Sequence, residues 1–342
     1  MTQTLPDIPE VPDVRDVLDV RDLRVSFGPG MDAVAGLTLR ARRGETVALV
    51  GESGCGKTLS ALALSGLLPA GATVTGSAEL AGVQLVGRSE RQLRKLRGDL
   101  VGMIFQDAST ALNPLMTVGA QIEEVMAIHR THNRAERRTR AVELLTAVGV
   151  PDAAQRARSR PHQLSGGMRQ RVMIAVALAG DPDLVIADEP TTALDVTVQA
   201  QVLALLHEST RDSAVLFITH DMGVVAEIAD QVVVMYAGAV VESGPIAEVL
   251  DRPHHPYTVA LLASVPDPDE PHVGELPTIP GRVPPLGERD AGCLFRDRCP
   301  KRQDRCTQRP PLEAVPGGES AVACWYPDHV GQPSAPVEEA TR

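Results

Sequence analysis

The chain has 342 residues, 43% of them hydrophobic, and a formal net charge of −11. That length accommodates two or three structural units with ample core, and the acidic balance argues against broad nucleic-acid binding. Its longest apolar runs fall well short of the ~20 residues needed to span a bilayer. Residues 1–10 show neither the basic region nor the apolar stretch of a signal peptide. The expectation is a cytosolic chain that meets a membrane only through partners.

In chain order, residues 1–16 are rich in Pro and Asp and read as a disordered tail. Asp19 to Phe27 alternates like an edge strand and ends in an aromatic ring just before Gly28-Pro29-Gly30. Thr46 to Val50 is an apolar strand. It is followed by Gly51-Glu52-Ser53-Gly54-Cys55-Gly56-Lys57-Thr58 and a helix-like run from Leu59. Strand, glycine loop and helix together make a phosphate cradle. The glycines let backbone N–H groups close around phosphate oxygens, and the helix N-terminus adds its positive end. Lys57 is placed to reach the β- and γ-phosphates and Thr58 to ligate Mg²⁺, so the chain is expected to bind a nucleoside triphosphate.

Arg88 to Arg97 and Arg130 to Arg140 are basic stretches that read as solvated helix faces. Met103 to Asp107 reads as a strand ending in the amide of Gln106. Helices are expected over Thr117 to Ala127, Arg134 to Val148 and Gly166 to Ala179, with Pro114 and Pro161 at the joints. Leu184 to Pro190 is an apolar strand ending in Asp188 and Glu189, and Val215 to Asp221 is another ending near His220. Ligands of open α/β sheets lie at the carboxyl ends of the strands. Asp188 is therefore assigned to Mg²⁺, which favours oxygen ligands, and Glu189 to polarising the attacking water. His220 is placed to bond the γ-phosphate and orient that water, and Gln106 to complete the Mg²⁺ shell. Ser165-Gly166-Gly167 opens a helix and forms a second anion site with no lysine. One chain carries one cradle, so this second site has no obvious phosphate of its own.

These segments, in this order and spacing, resemble the nucleotide-binding subunit of ABC transporters from roughly Val17 to Gly244. The resemblance implies an α/β P-loop NTPase fold with a RecA-like core, an antiparallel β subdomain, a helical subdomain inserted at about 108–179, and a loop-rich C-terminal extension. It implies two subunits packed head to tail, with Ser165, Gly166 and Gly167 of each capping the ATP in the other's cradle. Asp195 would lie on that seam, and Phe27 would stack on adenine, a contact with little base selectivity.

Pro253 to Leu262, Ala111 to Gly119 and Ile279 to Pro284 resemble phrases typical of ATPase subunits from oligopeptide and dipeptide importers, partly shared with nickel and glutathione importers. The resemblance implies an ABC ATPase domain over 17–249, a C-terminal domain over 250–330 and a tail over 331–342. Its implied partners are a second, paralogous ATPase, two transmembrane permeases and an extracytoplasmic solute-binding protein, at the cytoplasmic face of the cell membrane. A soluble ABC ATPase acting on ribosomes or DNA is the rival. It is disfavoured by the single cassette and by the lack of a long heptad run. His254 and His255 read as exposed loop residues.

Past Val249 the pattern dissolves into Pro-rich loops, so stability there is expected from something other than a large core. Cys55 belongs to the phosphate loop. Cys293, Cys299, Cys306 and Cys324 crowd into the tail, where cytosolic conditions disfavour disulfides. Four thiolates in a loop-rich segment suggest a metal staple. Their spacing lacks the C-x-x-C pairs of common zinc sites, and a [4Fe–4S] cluster tolerates wider loops. The resemblance to peptide-importer subunits favours [4Fe–4S] over zinc or free thiols. The phosphate site and the cysteine lobe are expected to lie in separate units.

Overall fold

The computed structural model describes residues 16–129, 133–192, 196–265 and 278–328. The strands in chain order are β1 (Asp16–Ser26), β2 (Asp32–Arg42), β3 (Thr46–Val50), β4 (Thr73–Leu80), β5 (Val83–Gln84), β6 (Val101–Ile104), β7 (Leu184–Asp188), β8 (Ala214–Thr219), β9 (Gln231–Tyr236), β10 (Ala239–Pro245), β11 (Glu313–Ala314) and β12 (Ala321–Val322). The helices are α1 (Lys57–Ser65), α2 (Glu90–Leu96), α3 (Ala108–Ala111), α4 (Val118–His129), α5 (Arg134–Ala147), α6 (Ala153–Arg156), α7 (Gly166–Leu178), α8 (Val196–Ser209), α9 (Met222–Ile228), α10 (Ile246–Asp251) and α11 (Pro256–Ala263). Among the described residues, no helix is long and apolar enough to cross a membrane.

Two sheets organise these elements. Strands β9, β3, β8, β7 and β6 run parallel within an eight-stranded sheet ordered β11-β12-β10-β9-β3-β8-β7-β6. Every residue of β3, β7 and β8 is buried. Parallel strands covered on both faces read as unbroken apolar runs for this reason. The two-residue period sorts their side chains: Leu184 and Ile186 enter the core shared with the antiparallel sheet, Val185 and Ala187 the core shared with the helical lobe.

The second sheet is antiparallel, ordered β2-β1-β4-β5. It corrects one expectation, because β1 is an internal strand flanked by β2 and β4 and not an edge. The alternation of Leu18, Val20 and Val25 with more exposed neighbours reports a sheet with one buried face, which an internal strand shows equally well.

The inserted helices fall where their periodicity placed them. Asn133 caps α5 and its N3 residue Glu136 closes the capping box. Ile122, Met126, Leu145 and Val172 form the lobe's interior. The basic helix α2 has no buried residue, as expected of a solvated face, and Arg97 at its end pairs with Glu90. The strand expected to run through Gln106 stops at Ile104, because Asp107 turns away to accept the Ser109 N–H and cap α3.

The tail departs most from expectation. Strand β12 pairs with β10, so the tail extends the main sheet. Tyr236 from β9, Tyr257 from α11 and Phe295 from the cysteine segment are fully buried together, with centroids 4.8, 5.2 and 5.4 Å apart. A shared aromatic core anchors the tail, which the run of prolines conceals. His254 and His255 are likewise buried, not exposed. Their backbone N–H groups donate to the Glu242 carboxylate at 2.6 and 2.9 Å. Of the expected tails over 1–16 and 331–342, all but Asp16 lies outside the described residues, and Asp16 opens β1.

Candidate active site

The phosphate loop leaves β3 at Gly51 and enters α1 at Lys57. Glycine is required at both bends: Gly51 has φ +148° and a Cβ there would sit 2.2 Å from the Met235 carbonyl oxygen, while Gly56 has φ +106° with the Ala33 carbonyl at 2.7 Å. Ser53 and Gly54 are exposed at the mouth of the loop, and Cys55 is buried beneath it. Burial raises the Cys55 thiol pKa, against the pull of Lys57, so the thiol is packing material. Lys57 is itself buried, its Nζ donating to the carbonyls of Gly51 at 2.6 Å and Glu52 at 3.3 Å. The loop is thus held closed by the side chain that would meet a phosphate.

Asp188 ends β7 at 5% exposure and accepts the Thr58 hydroxyl at 3.3 Å. Burial pushes its carboxyl above the ordinary range; the Thr58 bond pulls it down and Glu189 pushes it further up. A buried carboxylate beside a hydroxyl and a second carboxylate is an oxygen-donor set short of positive charge. It fits a hard divalent cation such as Mg²⁺.

Glu189 has left-handed backbone at φ +48°, uncommon for a non-glycine residue and a hallmark of functional sites. Its N–H donates to Ile218 O at 2.8 Å, fixing the turn against β8. Three side chains converge on its carboxylate: Gln106 Nε2 at 2.9 Å and the Thr192 hydroxyl at 2.9 Å on Oε2, and His220 Nδ1 at 3.2 Å from Oε1. So Gln106 meets Glu189 here. Thr192 was missed by sequence reasoning, although its place three residues after Glu189 was a usable signal.

Ser165 caps α7, its hydroxyl accepting the Met168 N–H at 3.3 Å, and Gly166 has open space around it. Ser165 and Gly166 are exposed. Gln170, further along α7, is buried and donates to the Pro190 carbonyl, tying α7 to the end of β7. That link had no sequence signal. Phe27 is half-buried, packed on the edge of the antiparallel-sheet core, within a turn in which its N–H donates to Met31 O at 3.1 Å. Asp195 lies outside the described residues.

The four tail cysteines gather in one lobe. Cys293 N–H donates to Cys306 O at 2.9 Å, and burial followed by the neighbouring thiols raises Cys293 and Cys299, and Cys324 to about 11. The donor set suits a soft metal in identity. In arrangement it does not close, since among the described residues no group of three or more His, Cys, Asp or Glu is placed to hold a metal ion. Nor is the lobe separate from the phosphate site: Arg298, inside it, bonds Glu52 at 2.6 and 3.0 Å.

This fold and this site define a P-loop ATPase of the ABC type. The ABC transporter family matches over residues 34–192, and the oligopeptide/dipeptide transporter C-terminal region over 241–306. The probable D,D-dipeptide transport ATP-binding protein DdpD of Escherichia coli is 48% identical over 305 residues, covering 88% of this chain and 93% of that one. The oligopeptide transport ATP-binding protein OppD of Salmonella typhimurium is 48% identical over 310 residues, covering 89% and 92%. Among solved structures, the ATP-binding cassette MJ0796, dimeric and bound to ADP and Pi, superposes with TM-score 0.59 at 28% identity, covering 67% of this chain and 98% of that one. The chain belongs to the oligopeptide/dipeptide branch of ABC transporter ATP-binding proteins. It is an ATP-hydrolysing, energy-coupling subunit of an importer, which implies permease partners and pairing with another ATPase.

Proposed function

We propose that the chain powers uptake of di- or oligopeptides by hydrolysing ATP at the cytoplasmic face of the cell membrane, with Glu189 as the general base. The observation that carries this is the convergence of Gln106, Thr192 and His220 on a Glu189 of strained backbone, beside the Thr58–Asp188 pair. Gly51, Ser53, Gly54, Cys55 and Gly56 shape the phosphate cradle, Lys57 exchanges its carbonyl partners for β/γ-phosphate oxygens, and Phe27 stacks on adenine. Thr58 and Asp188, with Gln106, would hold Mg²⁺, which supplies charge neutralisation to the phosphates. Glu189 takes a proton as the water oxygen bonds the γ-phosphorus and the bond to the β-phosphate oxygen breaks. His220 steadies both water and carboxylate.

Ser165 and Gly166 are exposed at a helix start, with open space around Gly166. Together with Gly167 they clamp the γ-phosphate held by a second ATPase, a paralogue in this branch, packed head to tail with Asp195 on the seam. Leu115 at 82% exposure, in the loop after Gln106, and Phe105 at 37%, just before it, present apolar surface suited to a helix from either of two permeases. A solute-binding protein outside the cell selects the cargo.

Replacing Glu189 by Gln keeps the loop and removes the base. Turnover in the assembled transporter should fall by roughly 10²–10⁴ while ATP binding persists and the closed ATPase dimer accumulates on size exclusion. Near-wild-type turnover defeats the assignment. Uptake of labelled dipeptide, nickel or glutathione by vesicles carrying the complex decides the cargo, and peptide uptake is the expected result.

For the tail, we propose a thiolate-ligated [4Fe–4S] cluster on Cys293, Cys299, Cys306 and Cys324, zinc being the rival. Its support is the placing of all four cysteines in one lobe, with the Cys293 N–H on the Cys306 carbonyl, a soft donor set that a bound metal would deprotonate. Anaerobic protein analysed for metal should contain iron; zinc alone rejects the cluster, and neither metal rejects the staple.

A further inference from the structure

Glu52 is an odd residue for a phosphate cradle. It places a carboxylate on a loop built to receive a polyanion, and nothing in the hydrolysis described above uses it. The structure shows what it does contact. Its N–H donates to the Tyr257 hydroxyl at 2.9 Å, and its carboxylate receives both terminal nitrogens of Arg298 at 2.6 and 3.0 Å. Both partners come from the C-terminal tail, more than two hundred residues away in sequence.

Arg298 is confined from every side. Its side chain is 6% exposed. It donates to the Pro280 carbonyl at 2.7 Å, the Ile279 carbonyl at 3.1 Å and the Tyr236 hydroxyl at 3.2 Å, and lies 5.6 and 5.9 Å from the Tyr236 and Phe295 ring centroids. It also sits in the turn between the first two tail cysteines: its own N–H bonds Phe295 O, and the next residue is Cys299, whose N–H bonds Arg296 O. The guanidinium therefore cannot follow a change in the cysteine turn without shifting Glu52. The other side of Glu52 is Lys57, which bonds its carbonyl at 3.3 Å. A continuous chain of contacts runs Cys299–Arg298–Glu52–Lys57.

We infer that Arg298 is a positioning residue for the phosphate loop, acting through Glu52, and that it couples nucleotide binding to the state of the four-cysteine lobe. Paired with Arg298, the Glu52 carboxylate is neutralised and its backbone is fixed in the cradle. Left unpaired, the same carboxylate repels the phosphates and the loop loses its outer brace. Coupling is reciprocal: whatever the lobe does to ATP affinity, ATP does to the lobe. The inference rests on the ATP-binding reading of the loop and assumes no particular metal in the lobe.

The experiment titrates the full-length protein with MgATP in wild type, Arg298→Ala, Glu52→Gln and the double variant. Arg298→Ala should raise the ATP Kd about tenfold, as loss of a charge-neutralising partner does. Glu52→Gln in that background should recover most of the loss, because the repelling charge is gone. A tail that is merely loosened by Arg298→Ala would not be rescued by a change in the loop, so absence of rescue overturns the inference. Arg298→Ala with wild-type affinity overturns it too. The reverse direction needs only Glu52→Gln, which keeps Arg298 and its tail contacts. ATP should slow iodoacetamide alkylation of Cys299 several-fold in wild type and have no effect in that variant; equal protection in both overturns the coupling. A wild-type chain that binds no MgATP overturns the ATP reading, and this inference with it; binding that is lost only in Lys57→Ala upholds the first and rejects the second.

Discussion

Two carboxylates are buried at strands of the main sheet, Asp188 at the end of β7 and Glu242 in β10, and their surroundings differ. Both have pKa values raised chiefly by burial. Glu242 has no exposure and accepts two backbone N–H groups, from His254 and His255, which fold the start of the tail onto the sheet. Asp188 accepts a single hydroxyl at 3.3 Å and faces a second carboxylate. Burial alone therefore does not mark a functional acid. What marks it is a shortage of donors, which a cation can make good, whereas Glu242 already has donors from its own chain.

The contrast is sharpest in Asp188→Asn. Removing an under-compensated buried charge should leave Tm equal to or above wild type, while Mg²⁺-dependent ATP turnover falls by roughly two orders of magnitude or more, as for a lost site carboxylate. A lower Tm with turnover intact would make Asp188 a second Glu242. The opposite pattern is expected of Glu242→Ala. It strands two buried N–H donors, at about 1–3 kcal/mol each, so thermal and urea unfolding should show a large destabilisation. The folded fraction should still bind ATP, which a nucleotide titration at low temperature checks.

A smaller effect separates the junction from the site by pH. Burial lowers the His255 pKa from 6.5 to about 3, Asp328 opposing, so the ring is neutral in the fold. Its Nδ1 accepts the Tyr257 N–H at 3.0 Å and caps α11, a bond that protonation would abolish. Below the unfolded value of 6.5 the unfolded chain binds a proton that the folded chain refuses. Stability contributed by His255 is thus complete above 6.5 and is lost as pH falls from there towards 3, by about 1.4 kcal/mol per pH unit. Urea melts at pH 7, 6 and 5 should show this slope, and His255→Asn, which keeps a capping acceptor without a titrating ring, should flatten it.

Much of the nucleotide side was legible in the sequence because its chemistry is local. The glycines of the cradle, the N-cap at Ser165 and the carboxylates ending β7 are set by neighbours within a few residues, where backbone geometry and capping act. The apolar runs of β3, β7 and β8 announce a parallel core for the same reason. The tail was misread where its partners are distant in the chain. Tyr257 and Phe295 find Tyr236, His254 and His255 find Glu242, and Arg298 finds Glu52, all across separations that carry no periodic signal. Proline-rich sequence hides such a core, because its order comes from docking onto an existing sheet and not from its own propensity. The sequence by itself determined that this chain cradles a nucleoside triphosphate and hydrolyses it. Only the tertiary structure decided that the cysteine lobe and the phosphate loop share one ion pair, because a salt bridge between residues 52 and 298 exists only once the sheet has brought them together.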